Sequence, residues 1–136
     1  MASGIYSRFK ANLLNKEVDM EGDTIKVMLM NTSHSFSATD TDAGDISANE
    51  MTGTGYTAGG QTLSGGAVTE GATTKFDATD SAWGSASFSA YHAVLFDTSA
   101  ANSLICSFDF GEAKTVSSGT FTVQWDTAGV LTLASA

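Results

Sequence analysis

The two histidines and the single cysteine, His34, His92 and Cys106, are the first candidates for acid–base or nucleophilic catalysis. His92 lies in the apolar segment YHAVLF, which predicts a hydrogen-bonded residue on a half-buried sheet face. His34 lies in the serine-rich segment NTSHSFS, which predicts a solvated loop residue. A cysteine nucleophile needs a base in an electropositive pocket, whereas Cys106 lies in a candidate strand and favours a small core residue. No G-x-S-x-G pattern occurs where a strand turns into a helix, so the sequence predicts no catalytic site and a non-enzymatic protein.

The segment TDTDAGD places three carboxylates, those of Asp40, Asp42 and Asp45, within six residues. An EF-hand loop requires glycine at its sixth position and glutamate at its twelfth. Counted from Asp40, those positions hold Asp45 and Met51, so the EF-hand pattern is not met. We interpret 40–45 as a solvated acidic loop and leave open whether it binds a cation; no metal and no cofactor is predicted.

A glycine-rich stretch, GTGYTAGG at 53–60, has some likeness to a dinucleotide-binding loop. That loop requires G-x-G-x-x-G between a strand and a helix, and here the third glycine comes one residue late, at Gly59. Glycine adopts positive φ without steric cost. The stretch therefore predicts turns, with Tyr56 packed against a sheet as an anchor.

Composition and charge limit the partners of this 136-residue chain. Its net charge is −9, and four of its six basic residues lie in the first 26 positions. Binding to nucleic acid requires Lys and Arg against the phosphates, so we expect no direct nucleic-acid contact and no affinity for an anionic membrane. No apolar run approaches the ~18 residues of a membrane span, and no secretory signal is recognised. One cysteine excludes an internal disulfide.

Residues 1–16 are predicted to form an amphipathic helix or arm, capped by Ser3. Such a short helix is marginal alone in water and must dock on its own body or on a neighbouring subunit. The short connection 17–23 favours its own sheet. The apolar stripe consists of Ile5, Phe9 and Leu13, widened by Tyr6 and Leu14.

The body, 17–136, reads as strands and turns around a long irregular excursion at 31–66. A helical turn is expected at 47–51, where Ser47 and Glu50 have capping-box spacing, and 126–129 has the residues of a hairpin loop. Strands are predicted at 24–30, 74–77, 91–96, 103–110, 120–125 and 130–133. The fold class is therefore mainly β: a single antiparallel β-sandwich or jelly-roll-like domain with a short N-terminal helix. The predicted core is Ile25, Val27, Leu29, Phe76, Tyr91, Ala93, Leu95, Ile105, Phe108, Phe121, Val123 and Leu131.

Three blocks of the chain resemble a family of small virion structural proteins of tailed bacteriophages. They are IYSRFKANLLNKEVDMEGDTIKVMLM, DISANEMTGTGYTAGGQTL and FDFGEAKTVSSGTFTVQWDTAGVLTL. The resemblance covers most of the chain, with 31–45 and 97–103 as its variable parts. Some members are similar to head decoration, or cement, proteins, which have no catalytic motif. The resemblance implies a virion protein on the outer capsid surface, with the phage major capsid protein as partner and self-association as a dimer or trimer.

Two alternatives remain open at this point: a tail-, neck- or fibre-associated virion component, and a module that binds glycans. Tyr56, Trp83, Tyr91 and Trp125 are the aromatic side chains that a glycan module would use for stacking, although core and turn anchors are the expected use of most. For a virion component, we expect subunit or capsid contacts on the arm and the excursion, at Ile5, Phe9, Leu13, Phe36, Met51 and Tyr56.

Overall fold

The computed structural model describes residues 3–135 and confirms the fold class. The chain is mainly β, with 47% of residues in strands and 14% in helices, arranged as two antiparallel sheets with a short N-terminal helix. In chain order the elements are β1 (Gly4–Ile5), α1 (Ser7–Leu14), β2 (Ile25–Met30), α2 (Ala43–Ile46), β3 (Gln61–Thr62), β4 (Ala67–Thr69), β5 (Thr73–Asp77), β6 (Ser81–Asp97), β7 (Ser103–Val123) and β8 (Leu131–Ala134). Short 3₁₀ turns follow α2 and β6, at Ser47–Asn49 and Thr98–Ala100.

The large sheet has the strand order β1-β7-β6-β2-β3, and the small sheet has the order β4-β5-β8. Leu95 lies at the centre of the large sheet, on β6, opposite Val27 of β2 on one side and Cys106 of β7 on the other. Because successive side chains of a strand point to opposite faces, each central strand contributes to two apolar clusters. The main core lies between the sheets and includes Val27, Leu29, Phe76, Leu95, Ile105, Phe121 and Val130. A second cluster lies on the other face, covered by part of the 31–50 segment, and consists of Tyr6, Met28, Met30, Ile46, Val94, Phe96 and Leu104.

Most of the predicted core is buried as expected. Tyr91, Phe108 and Leu131 are the exceptions and are only partly buried. Phe108 and Leu131 still pack against the main core from its margin. The period-two pattern of the central strands was sufficient to assign the remaining nine residues to the interior.

The hairpin formed by β6 and β7 is much longer than the sequence predicted. Residues 103–110 and 120–125 were expected as separate strands, whereas β7 runs without a break from Ser103 to Val123. β6 likewise begins at Ser81, in a Ser/Gly/Ala-rich stretch that shows little apolar periodicity. Here the two strands pair with each other through several irregularities of register. Backbone pairing, rather than side-chain hydrophobicity, therefore extends the strands.

The prediction that residues 126–129 form the loop of a hairpin is wrong. A turn is present, because the Gly129 N–H donates to the Asp126 carbonyl at 2.9 Å. However, β8 does not return along β7; it pairs with β5 in the other sheet, with Leu131 opposite Phe76. The Val130 N–H donates to the Phe76 carbonyl at 2.8 Å. The turn therefore carries the chain from the large sheet to the small one.

The N-terminal helix begins later than predicted. Gly4 and Ile5 pair with β7 as a strand, and the Ser3 hydroxyl accepts from the Asp109 N–H at 2.8 Å rather than capping α1. Pairing with an existing sheet edge satisfies backbone groups that the first turn of a helix leaves free. Phe9 is buried in the main core, so α1 docks on its own body, as the short 17–23 connection favoured.

The excursion contains α2, and its capping box differs from the predicted one. Asp42, not Ser47, is the N-cap, with Asp45 as its reciprocal partner. Asp45 Oδ2 accepts from the Thr41 N–H at 2.8 Å and the Thr41 hydroxyl at 3.0 Å. These bonds, the backbone bond first, lower the pKa of the Asp45 carboxyl. The acidic loop therefore uses two of its carboxylates to hold its own backbone.

Candidate functional site

An apolar groove of about 250 Å³ lies between α1 and the small sheet. One wall carries Ile5, Phe9 and Leu13 from the N-terminal segment. The other wall is one face of the small sheet, where registered pairs place neighbouring side chains together. Thr74 lies opposite Leu133, and Phe76 lies between Val68 and Leu131.

Exposed apolar side chains are concentrated in this groove. Leu133 is 68% exposed, Val68 44%, Leu13 38% and Ile5 36%. Among residues 3–135 the only other large apolar side chain with comparable exposure is Leu14, at 90%, which does not line the groove. Single exposed apolar residues are ordinary on a protein surface, but a contiguous group marks an interaction site.

The small sheet also offers an open edge beside the groove. β8 pairs with β5 on one side only, at the end of the strand order. Edge strands are usually protected by charged residues, proline or a bulge. The sequence of β8, LTLA, contains none of these charges and no proline. At four residues β8 is also short, which limits the unpaired backbone that this edge presents.

The charged side chains that line the groove are basic, on an otherwise acidic protein. Lys10 and Lys75 line it directly, and Arg8 and Lys16 lie on α1 and just beyond it. The Lys75 ammonium donates to the Thr127 carbonyl at 2.8 Å and lies 4.0 Å from Asp77, so it is held in place. The groove is suited to an apolar segment with acidic neighbours.

The six expected contact residues do not lie together. Ile5, Phe9 and Leu13 come together in the groove. Phe9 and Met51 are themselves buried in the main core, so of these predicted contact residues only Ile5 and Leu13 are exposed. Phe36 packs on Tyr6, with ring centroids 4.9 Å apart.

Tyr56 also serves as an anchor for the excursion. Its hydroxyl donates to Glu50 at 2.6 Å and accepts from the Leu29 N–H at 3.0 Å. This confirms the anchoring role predicted from the glycine-rich stretch. Gly60 has a φ of +74°, and a Cβ there would clash with the Val27 carbonyl, so the loop lies directly on the β2 backbone.

The sequence interpretation missed a buried histidine pair. His34 was expected in solvent and His92 on a half-buried face, but both are fully buried. Their ring centroids are 4.8 Å apart in an edge-on arrangement. His34 Nε2 lies 3.3 Å from Ser107 Oγ, and His92 Nε2 lies 3.9 Å from Asp109 Oδ1. His92 was also expected to be hydrogen-bonded, yet both of its ring nitrogens lack a partner among the described residues.

The pair combines residue types that occur in hydrolases, but its surroundings differ from an open active site. Ser107 is buried together with both histidines, so a substrate reaches its hydroxyl only if the covering segment moves. Burial lowers the pKa of His34 to about 4, with neighbouring His92 acting in the same direction. Burial also lowers the pKa of His92, against the opposing effect of Asp109. Burial raises the pKa of the Cys106 thiol, which disfavours the reactive thiolate.

The alternation of β6 placed His92 beside Val94 and Phe96, and all three are buried. A sequence signal for His92 was therefore present, although its full burial was not expected. No such signal exists for His34, because a loop that folds over a sheet has no periodicity. The tryptophans proposed as glycan platforms, Trp83 and Trp125, are both buried in the main core.

Within residues 3–135, no three His, Cys, Asp or Glu side chains are grouped so as to hold a metal ion. No helix in that range has both the length and the apolar character needed to cross a membrane. The chain matches no protein-family model, no curated protein and no solved structure.

Proposed function

We propose that this chain is a non-enzymatic structural protein of a bacteriophage virion, most specifically a head decoration protein that binds the outer capsid surface. The observation that supports this best is the apolar groove beside α1, where four exposed apolar side chains are collected. The sequence blocks that resemble phage virion proteins provide the second line of support.

The proposed occupant of the groove is a segment of the major capsid protein with apolar side chains flanked by acidic ones. Apolar contact along Val68 and Leu133 would supply affinity, because removing apolar area from water is the main favourable term in association. Lys10 and Lys75 would select the acidic flanks and orient the segment. The remaining surface is acidic, which favours a place on the outside of the shell, away from packaged DNA.

Self-association as a dimer or trimer is part of the same proposal. Decoration proteins stand on symmetric positions of a shell, and closed symmetry is the usual state of small homo-oligomers. The open β8 edge, next to the groove, is the described surface best suited to contact with another subunit. Light scattering coupled to size-exclusion chromatography measures the oligomeric state directly.

The deciding experiment is the number of copies of this chain per virion, measured by quantitative mass spectrometry against the major capsid protein. A head decoration protein is present in hundreds of copies, in a fixed ratio to capsid subunits. A tail or neck component is present in the small number set by one ring. Absence from purified virions would overturn the proposal entirely.

A further inference from the structure

Residues 32–40, the histidine flap, are fastened firmly only at their ends. Before the flap, the Asn31 N–H donates to the Asn49 carbonyl at 2.9 Å. After it, the Thr41 carbonyl accepts from the Leu104 N–H at 3.0 Å. Between these points, a local turn bond runs from the His34 N–H to the Asn31 carbonyl at 3.3 Å, and one backbone bond joins the flap to a distant described segment, from the Ser7 N–H to the Ala38 carbonyl at 3.0 Å.

Side chains provide the remaining attachment of the flap. Phe36 packs on Tyr6, and His34 inserts between His92 of β6 and Ser107 of β7. His34 is therefore the flap residue that reaches the large sheet most deeply, and it does so as a polar ring in a dry environment. A neutral ring is accommodated there, whereas a charged ring is strongly disfavoured.

We propose that the His34–His92 pair is an acid-sensitive latch, which holds the histidine flap closed over the large sheet at neutral pH and releases it in acid. Protonating one ring places a cation against the other ring in a buried site. Protonating both adds direct repulsion between them. Release brings both rings into water, where the charged form is favoured.

The other titratable groups around the pair do not cancel this effect. Asp109 on β7 is the nearest carboxylate, at 3.9 Å from His92 Nε2, and its Oδ1 already accepts from the Gly111 N–H at 2.7 Å. No atom pair of His34 and Asp109 lies within salt-bridge distance among the described residues. Asp109 raises the pKa of His34, but burial and the neighbouring His92 lower it more strongly. The other ionisable groups nearby are the Tyr6 phenol, the Cys106 thiol and Asp40, where burial raises the pKa in all three cases.

The direction of the pH effect follows from linkage. His34 has a pKa of about 4 with the flap closed and an ordinary value near 6.5 with it open. The open state therefore binds the proton more tightly, and opening increases as the pH falls below about 6.5. For His34 alone, the opening equilibrium rises about thirtyfold between pH 7.5 and pH 5.0.

Hydrogen exchange followed by mass spectrometry tests the latch on the full chain, with exchange times corrected for the intrinsic pH dependence. Wild-type protein is compared with His34→Gln, which keeps a polar side chain but removes the titration, and with Ser35→Ala, an exposed control in the same flap. In wild type and the control, we expect the protection of residues 32–40 against exchange to be about thirtyfold lower at pH 5.0 than at pH 7.5. Peptides containing Leu95 and Ile105 should stay protected, and His34→Gln should lose most of the pH dependence.

Three outcomes would overturn the latch. They are flap protection that does not change with pH, a His34→Gln response equal to wild type, and loss of protection in the flap only together with the whole sheet. If His34→Gln does not fold, the wild-type comparison of flap and sheet peptides still decides between local release and global unfolding. The result is independent of the groove, so the latch and the proposed virion function fail separately.

Discussion

Tyr56 and Glu50 form a 2.6 Å hydrogen bond, from the tyrosine hydroxyl to Glu50 Oε1. The same carboxylate oxygen accepts from the Gly59 N–H at 2.6 Å. The Leu29 N–H donates to the tyrosine hydroxyl from β2. This small network fixes the glycine-rich loop to the central sheet. It accounts for a motif that has some likeness to a nucleotide-binding loop yet serves a structural purpose.

Replacing Tyr56 with phenylalanine should destabilise the protein by about 1–3 kcal/mol, because the part-buried Glu50 and the Leu29 N–H lose their partner. Urea unfolding monitored by tryptophan fluorescence measures the change in unfolding free energy. Glu50→Gln, which keeps an acceptor oxygen for the Gly59 N–H, should show a smaller loss. A midpoint equal to wild type in Tyr56→Phe would show that the loop is held by packing alone.

Leu95 lies at the centre of the large sheet and is fully buried. Leu95→Ala should lower the unfolding free energy by about 2–5 kcal/mol, as expected when a large core side chain is truncated. Leu14→Ala is the matched control, since Leu14 is almost fully exposed and its loss should change stability by less than about 0.5 kcal/mol. Equal effects at both positions would contradict the assigned core.

Local periodicity explains which parts of the fold the sequence predicted. β2 and the second half of β6 were found because their apolar residues alternate, and Val27 and Leu95 are indeed buried. The stretch 111–119 in β7 was missed because it is polar and extends the strand by pairing with β6. One such cross-strand contact joins the hydroxyls of Ser89 and Thr115 at 2.7 Å.

The groove shows the same division between local and long-range information. Ile5, Phe9 and Leu13 could be grouped from their spacing alone. Val68 and Leu133 form the opposite wall only because β4, β5 and β8 pair into one sheet. β4 and β5 form a local hairpin, but the pairing of β5 with β8 joins segments far apart in the chain, and no local pattern specifies it. Sequence reasoning therefore found one wall of the candidate site and missed the other.

Asp97 should make the folding stability depend on pH in the direction opposite to that of the two histidines. Burial, reinforced by the neighbouring Asp23 carboxyl, raises the pKa of Asp97 to about 7. Because the folded state holds this proton more tightly than the unfolded chain, the stabilisation is complete below about pH 4 and is lost as the pH rises through 7. Asp97→Asn keeps an oxygen to cap the Ser99 and Ala100 N–H groups and cannot ionise.

Thermal melting at pH 4, 6 and 8 should therefore show Asp97→Asn equal to wild type at pH 4. At pH 8 the variant should melt about 3–8 °C higher. The quantity to compare is the difference between variant and wild type at each pH, which removes the contribution of the histidines. A difference that is the same at all three pH values would contradict the raised pKa.

Lys10 tests whether the partner of the groove is acidic. It lines the groove from α1 and is exposed, so Lys10→Glu should fold normally. We expect this variant to bind undecorated phage particles several-fold more weakly at low salt, with the difference shrinking at high salt as charges are screened. Co-sedimentation of wild type and Lys10→Glu with particles at two salt concentrations measures this difference in binding. Binding that is equal to wild type at low salt would contradict an acidic partner.

The apolar walls provide the most direct test of the groove. Val68 and Leu133 are both exposed strand residues, and threonine retains a high strand propensity. The double variant Val68→Thr with Leu133→Thr should therefore melt within a few degrees of wild type. Its affinity for undecorated particles should fall at least about tenfold, because each buried apolar side chain contributes roughly 1.5–3 kcal/mol when fully removed from water.

Leu14→Gln is the control for this double variant. Leu14 is more exposed than either groove residue but lies outside the lining, and glutamine preserves helix propensity. If the groove is the docking surface, the control binds particles like wild type while the double variant does not. If general surface hydrophobicity drives association instead, Leu14→Gln weakens binding at least as much, because it removes the most exposed apolar side chain. Equal binding by all three proteins would place the contact elsewhere on the molecule.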